Sequence, residues 1–170
     1  VFASDNGPAA SKKKLKLGWF SFTCCEDSSI VFTELLNDHF FEWKKVIEFQ
    51  HIRILRTDNK LEGLDVAFVE GAISSKKQLD ELLDIRKNCK KLVAIGSCAV
   101  TGMPSGQRNS FAPEVLEKYK DIFEAFEYSK KVQKLDELVQ VDDQIMGCPM
   151  KGEVFIQKLD DILKEFGITE

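Results

Sequence analysis

No apolar run in this sequence exceeds the length of a β-strand, so nothing in it reads as a membrane span or a signal peptide. There is no twin-arginine export signal. The chain opens on Val1 without a methionine, which leaves the sequence silent about what precedes it. Positive charge is not in excess. The net charge of −4 disfavours a general nucleic-acid binder. Tyrosine and tryptophan are scarce, at two each against 13 phenylalanines, a balance that favours packing over polar recognition. Internal repeats and low-complexity core segments are absent. The five cysteines have no even pairing, unlike a secreted disulfide framework, and a reducing cytoplasm is expected. The short Cys-x₂₋₄-Cys pairs of structural zinc sites are also missing.

What is present is a rhythm of short apolar runs and amphipathic stretches. Residues 1–14 are small and polar, then basic, and read as a disordered tail. Residues 15–170 read as a single domain. At this length roughly 70% of the unfolded surface is buried on folding, so no metal is needed merely to fold. Leu15–Phe22 reads as a buried strand. Helix follows from Ser28 or Ser29, with a second helical stretch through Phe40, Trp43 and Ile47. His51–Arg56 reads as an outer strand and Leu64–Val69 as a buried one. Ser74 and Ser75 precede a helix through Leu79, Leu82 and Leu83, and Leu92–Ile95 is another buried strand. Residues 99–112 read as a loop and Ser110–Lys130 as mostly helix. Val139–Met146 is the last strand, and Glu153–Phe166 a helix with one apolar stripe closed by Gly167. This alternation implies a three-layer α/β/α domain with a parallel sheet, flavodoxin-like, in strand order 2-1-3-4-5.

Cys24, Cys25, Cys98 and Cys148 each follow an apolar run. They therefore sit at the carboxyl ends of three strands, the edge where open α/β sheets bind ligands. Soft thiolates select zinc, copper(I) or iron–sulfur clusters. The side chains of the adjacent Cys24 and Cys25 diverge, which suits the separate iron corners of a cubane better than one tetrahedral ion. Cysteines at 24, 25, 98 and 148 supply the usual count for one [4Fe–4S] cluster. Gly96 and Gly147 allow close backbone approach beside them, and Pro149 fixes the chain after Cys148. A redox disulfide between Cys24 and Cys25 is the competing reading, though vicinal bridges are strained. Cys89, outside the pattern, reads as structural or surface. A flavin-binding carrier is disfavoured, because Cys24-Cys25-Glu26-Asp27 would repel a phosphate.

Thr23-Cys24-Cys25, Val69-Glu70-Gly71-Ala72-Ile73, Gly96-Ser97-Cys98-Ala99 and Gly147-Cys148-Pro149 together resemble the small subunits of nickel–iron hydrogenases. They equally resemble the homologous 20 kDa iron–sulfur subunit of respiratory complex I. The resemblance spans about residues 15–165. It implies one proximal [4Fe–4S] cluster held against a large catalytic subunit that carries a nickel–iron centre. It also implies electron relay to further carrier subunits or a ferredoxin, with no catalytic residue in this chain. Most hydrogenase small subunits carry Cys-x-x-Cys at the first locus. The tandem pair here resembles the complex I form, so either Cys25 or a carboxylate of Glu26 or Asp27 supplies the remaining first-loop ligand. A one-cluster subunit of a cytoplasmic hydrogenase is the expectation, with a complex I-like quinone reductase subunit as the alternative. No nucleic acid and no intrinsic membrane segment are expected as partners.

Other polar residues carry milder expectations. Glu70 reads as a carboxylate accepting loop N–H groups. Glu26 and Asp27 suit a helix N-terminus. Arg108 reads as a loop cation or an interface contact. His39 and His51 read as structural.

Overall fold

The computed structural model of the chain describes residues 13–169; the segment 1–12, most of the expected tail, lies outside the described residues. The elements, in chain order, are β1 (Leu15–Ser21), α1 (Asp27–Val46), β2 (Ile47–Ile52), β3 (Leu64–Glu70), β4 (Ile73–Ser75), α2 (Lys76–Asn88) and β5 (Cys89–Ile95). There follow α3 (Gly96–Thr101), a 3₁₀ turn (Ser105–Ser110), α4 (Pro113–Lys118), α5 (Lys120–Ala125), β6 (Tyr128–Gln133), β7 (Asp143–Ile145) and α6 (Gly152–Glu165).

Five strands form one sheet in the order β2-β1-β3-β5-β7, and every neighbouring pair is parallel. Counting only strands of this sheet, the order is 2-1-3-4-5, the doubly wound arrangement expected from the alternating pattern. β3 is buried along its whole length, as a central parallel strand covered on both faces must be.

The alternation of side chains along each strand divides the core in two. On one face Leu15, Leu17 and Trp19 of β1, Val66 and Phe68 of β3, and Val93 and Ile95 of β5 pack beneath α1 and α6. The Trp19 ring stacks on Phe32 of α1 with centroids 4.3 Å apart, and Phe155 of α6 sets its edge against both. On the other face Phe20, Ala67, Val69, Leu92 and Ala94 meet Leu82 and Ile85 of α2. The apolar stripe expected in the last helix is the buried face of α6: Phe155, Leu159 and Ile162 are all buried.

Several boundaries depart from the sequence expectation. The two helical stretches after Ser28 are one continuous α1, and β2 begins at Ile47 rather than His51. Ile47, at 1% exposure, is drawn into the sheet by pairing with Leu15, which overrides the helical spacing. The 110–130 stretch is helical only to Ala125. Tyr128–Gln133 pairs antiparallel with β4, forming a second, two-stranded sheet. A lysine-rich strand paired to a segment more than fifty residues away has no local signature. Cys89 opens β5, upstream of the strand expected from Leu92. It is buried, and its thiol reaches the Arg86 carbonyl at 3.8 Å.

Candidate functional site

The sheet register brings the cysteines together. Ser21 pairs with Glu70, Glu70 with Ile95, and Ile95 with Ile145, so four strands end in one row. Cys24, Cys98 and Cys148 each lie three residues beyond that row, Cys24 and Cys148 on the loops leaving β1 and β7 and Cys98 in α3, which follows β5 directly. With Cys25 they line one cleft at the carboxyl edge, together with Asp27, Ser28, Glu70, Gly96, Gly147 and Pro149. Cys98 is buried and Cys24 half-buried, while Cys25 and Cys148 are exposed.

The loops are tied to one another by backbone contacts. Ser97 N–H donates to the Gly147 carbonyl at 2.7 Å, joining the start of α3 to the loop of Cys148. Met150 N–H donates to Ser28 Oγ at 3.2 Å, joining that loop to the start of α1. Thr23 and Ala72 exchange a pair of N–H to carbonyl bonds at 3.0 Å, which fixes the first loop against the turn after β3. That turn needs Gly71: its φ is +92°, and an added Cβ would lie 2.8 Å from the Phe22 carbonyl carbon. Gly147 has φ +137°, and a Cβ there would collide with the Pro149 carbonyl oxygen.

Glu70 is 3% exposed, and its position explains the burial. One carboxylate oxygen accepts Ser28 N–H at 3.1 Å; the other accepts Ser29 N–H at 3.0 Å and Ser29 Oγ–H at 2.7 Å. The side chain thus caps α1 from a different strand. It satisfies free N–H groups of the first turn and places negative charge at the positive end of the helix. Ser29 Oγ in turn accepts the Trp19 indole N–H at 2.8 Å, so β1, α1 and β3 share one buried network. Glu26 stands at the N-cap with φ 63°, and Asp27 opens the helix, as a helix-terminal role for both requires.

Burial pushes the Cys24 thiol up to about 11; contact with Ser21 opposes the shift, and the Glu70 charge adds to it. A thiol in this setting holds its proton at neutral pH, so ligation there releases one. Around it, Ser21 Oγ lies 3.6 Å from Cys24 Sγ, and Glu26 N–H donates to the same sulfur at 3.4 Å. Ser105 Oγ–H lies 3.1 Å from Cys98 Sγ. The sequence alone gave no reason to single out Ser21 or Ser105, because neither belongs to a motif and Ser105 reaches Cys98 only through the folded 3₁₀ turn.

Among the described residues, no three His, Cys, Asp or Glu side chains converge closely enough to hold a single metal ion. The thiols surround the cleft instead of meeting at a point. A soft, all-sulfur donor set spread in this way fits a group with several irons at separate corners better than one zinc ion. Asp27 also lines the cleft. Glu26 does not, and its backbone rather than its carboxylate meets Cys24. Cys89 lies at the opposite end of β5 from the cleft. Arg108 is half-buried: its guanidinium donates to the Ser74 carbonyl at 3.1 Å and lies over the Phe123 and Tyr128 rings. His39 stacks on Trp43 and His51 on Phe20, both in packing roles.

The model of a known family, described as NADH ubiquinone oxidoreductase, 20 Kd subunit, matches residues 24–162. The chain is 32% identical over 118 residues to the NAD-reducing hydrogenase HoxS subunit delta of Cupriavidus necator, covering 60% of this chain and 56% of that protein. It is 29% identical over 157 residues to the sulfhydrogenase 2 subunit delta of Pyrococcus furiosus, covering 88% of this chain and 62% of that one. The chain therefore spans less than two thirds of the length of these two relatives. Among solved structures, a chain from NAD⁺-reducing [NiFe]-hydrogenase in the H₂-reduced state superposes with a TM-score of 0.79 at 23% identity. The superposition covers 90% of this chain and 93% of that one, a likeness of fold.

Proposed function

The chain belongs to the NADH ubiquinone oxidoreductase 20 kDa subunit family, and from that membership and the four-thiol cleft we propose that it is the electron-transfer small subunit of a nickel–iron hydrogenase. Cys24, Cys98 and Cys148, with Cys25 as the remaining first-loop ligand, hold one [4Fe–4S] cluster. The observation that carries the proposal is the common register row, which delivers cysteines from three separate strand ends into one cleft. Bound there, the cluster supplies one-electron relay and no bond-making chemistry. The chain's own residues hold and bury the two inner sulfurs, release the Cys24 proton on ligation, and leave Cys25 and Cys148 at an exposed mouth where a partner docks. The chain contributes no catalytic residue. The nickel–iron centre sits in a large partner subunit, and further carrier subunits or a ferredoxin take the electrons onward. Both relatives named above are hydrogenase subunits, which supports hydrogenase over quinone reductase. The five cysteines, all free thiols, suit a reducing cytoplasm. No helix among the described residues is long and apolar enough to cross a membrane.

The tandem cysteines and the family description favour a second reading, a subunit of a complex I-like quinone reductase. One anaerobic co-purification with native partners separates the possibilities. Iron and sulfide in cubane ratio on this chain, with a matching Mössbauer spectrum and nickel in the large partner, is the expected result. A cluster without nickel in any partner would favour the quinone reductase. Zinc without iron would end both readings.

A further inference from the structure

We propose that the Ser105 hydroxyl is a tuning residue: by donating to Cys98 Sγ it raises the reduction potential of the cluster that the cysteines hold. The inference rests on the cluster reading above and adds a residue to it that belongs to none of the cysteine motifs.

Ser105 Oγ–H has two acceptors within reach, the Thr23 carbonyl at 2.9 Å and Cys98 Sγ at 3.1 Å. One proton serves one of them fully. When Cys98 is a ligand its sulfur is a thiolate, and a hydrogen bond to an ionised acceptor is roughly twice as strong as a neutral one. The proton then turns to sulfur. The Thr23 carbonyl is not left bare, because it still accepts Ala72 N–H at 3.0 Å. One-electron reduction adds negative charge to the cluster and its sulfurs. It breaks no bond, and the hydroxyl proton stays on its oxygen. A donor aimed at a ligand sulfur therefore stabilises the reduced form more than the oxidised one and raises the potential.

The hydroxyl is held in place by more than its own turn. Ser105 begins the 3₁₀ turn, which is closed by Gly106 N–H to the Gly102 carbonyl at 2.7 Å. Three residues on, Arg108 pins the turn to the Ser74 carbonyl in the middle of β4 and stacks on Phe123 and Tyr128. Asn109 pairs with Val132 of β6 in both directions, at 2.7 and 2.8 Å. The β4–β6 ribbon and its Arg108 clamp thus orient one hydroxyl at one sulfur. A dipole fixed in this way acts without reorganising as the charge changes.

The test is a redox titration of the anaerobically purified full chain, followed by EPR of the reduced cluster. Ser105→Ala is expected to move the midpoint to more negative potential, by up to about tenfold in the reduction equilibrium, which is about 59 mV for one electron. Ser105→Thr and Ser105→Val have the same shape and differ by the hydroxyl. Thr is expected to stay near the wild-type midpoint, and Val to fall with Ala. An unchanged midpoint in Ala and Val, or an equal shift in Thr and Val, overturns the proposal. So does failure of Ala and Val to load a cluster where Thr loads one, because the hydroxyl would then serve assembly rather than potential. A wild-type chain without any cluster signal overturns the cluster reading itself.

Discussion

Cys148 and Cys89 have the same side chain and opposite surroundings, and the difference lies in where β5 and β7 begin and end. Cys148 is exposed on a loop beyond the row of strand ends, with Gly147 and Pro149 bending the chain around it. Cys89 is buried at the start of β5, its thiol pushed up by burial. Cys148→Ala is expected to abolish iron and sulfide incorporation with little effect on folding. Cys89→Ala is expected to keep the cluster and lose about 1–2 kcal/mol of stability, as for a small buried truncation. Iron analysis and denaturant titration of the two variants check this; iron retained in Cys148→Ala would remove it from the ligand set. All four cleft cysteines were legible in the sequence, because each follows an apolar run and sulfur has few roles at a strand end. Ser105 and Ser21 were not, because a hydroxyl contact across a fold leaves no trace in spacing.

The capping of α1 belongs to the scale of elements. The helix has no side-chain cap of its own at Glu26. Its N–H groups at Ser28 and Ser29 are met instead by Glu70 from β3. Glu70→Ala leaves those donors buried without a partner and is expected to cost about 2–4 kcal/mol, read as a lower denaturation midpoint. Glu70→Gln keeps an acceptor but loses the charge, and is expected to fall between alanine and wild type. Equal midpoints for Glu70→Ala and wild type would show that water serves the helix end as well. Strand and helix types were mostly legible, since buried parallel strands announce themselves as apolar runs. The β4–β6 ribbon escaped notice because its partners are too far apart and too polar to show period-two patterning. Most of α4 and α5 faces outward, with Val115 at 37% and Ile122 at 50% exposure, so the stretch has a helical stripe but no core beneath it.

For the whole molecule, the edge of the sheet carries the acid sensitivity. Asp142, just before β7, accepts Leu92 N–H at 2.8 Å and pairs with Arg86 of α2 at 2.6 Å. Burial pushes its carboxyl up, but the Leu92 N–H and the Arg86 cation outweigh burial and hold it below the ordinary aspartate range. Asp143 is likewise held low: burial raises it, and Lys158 of α6, 2.9 Å away, more than offsets the rise. A carboxyl with a depressed folded-state pKa contributes stability above its unfolded value, about 3.9, and loses it as pH falls through the folded value. Denaturation midpoints are therefore expected to be flat near neutrality and to drop below about pH 5. The deficit of Asp142→Asn relative to wild type is expected to shrink over the same window; a gap that stays constant to pH 3 would rule out this linkage. The doubly wound topology itself was legible from the alternation of runs. The register was not, and the register is what sets Ser21, Glu70, Ile95 and Ile145 side by side.

That row has a consequence for biogenesis. The cleft cysteines follow the first, fourth and last strands of the large sheet in chain order, and domains emerge from the ribosome amino end first. Cys24 and Cys25 are synthesised long before Cys148, and the four-thiol cleft is complete only when β7 docks on β5. Until then the early thiols face solvent without their eventual companion. A cluster held as proposed above can be completed only once that sheet edge has closed.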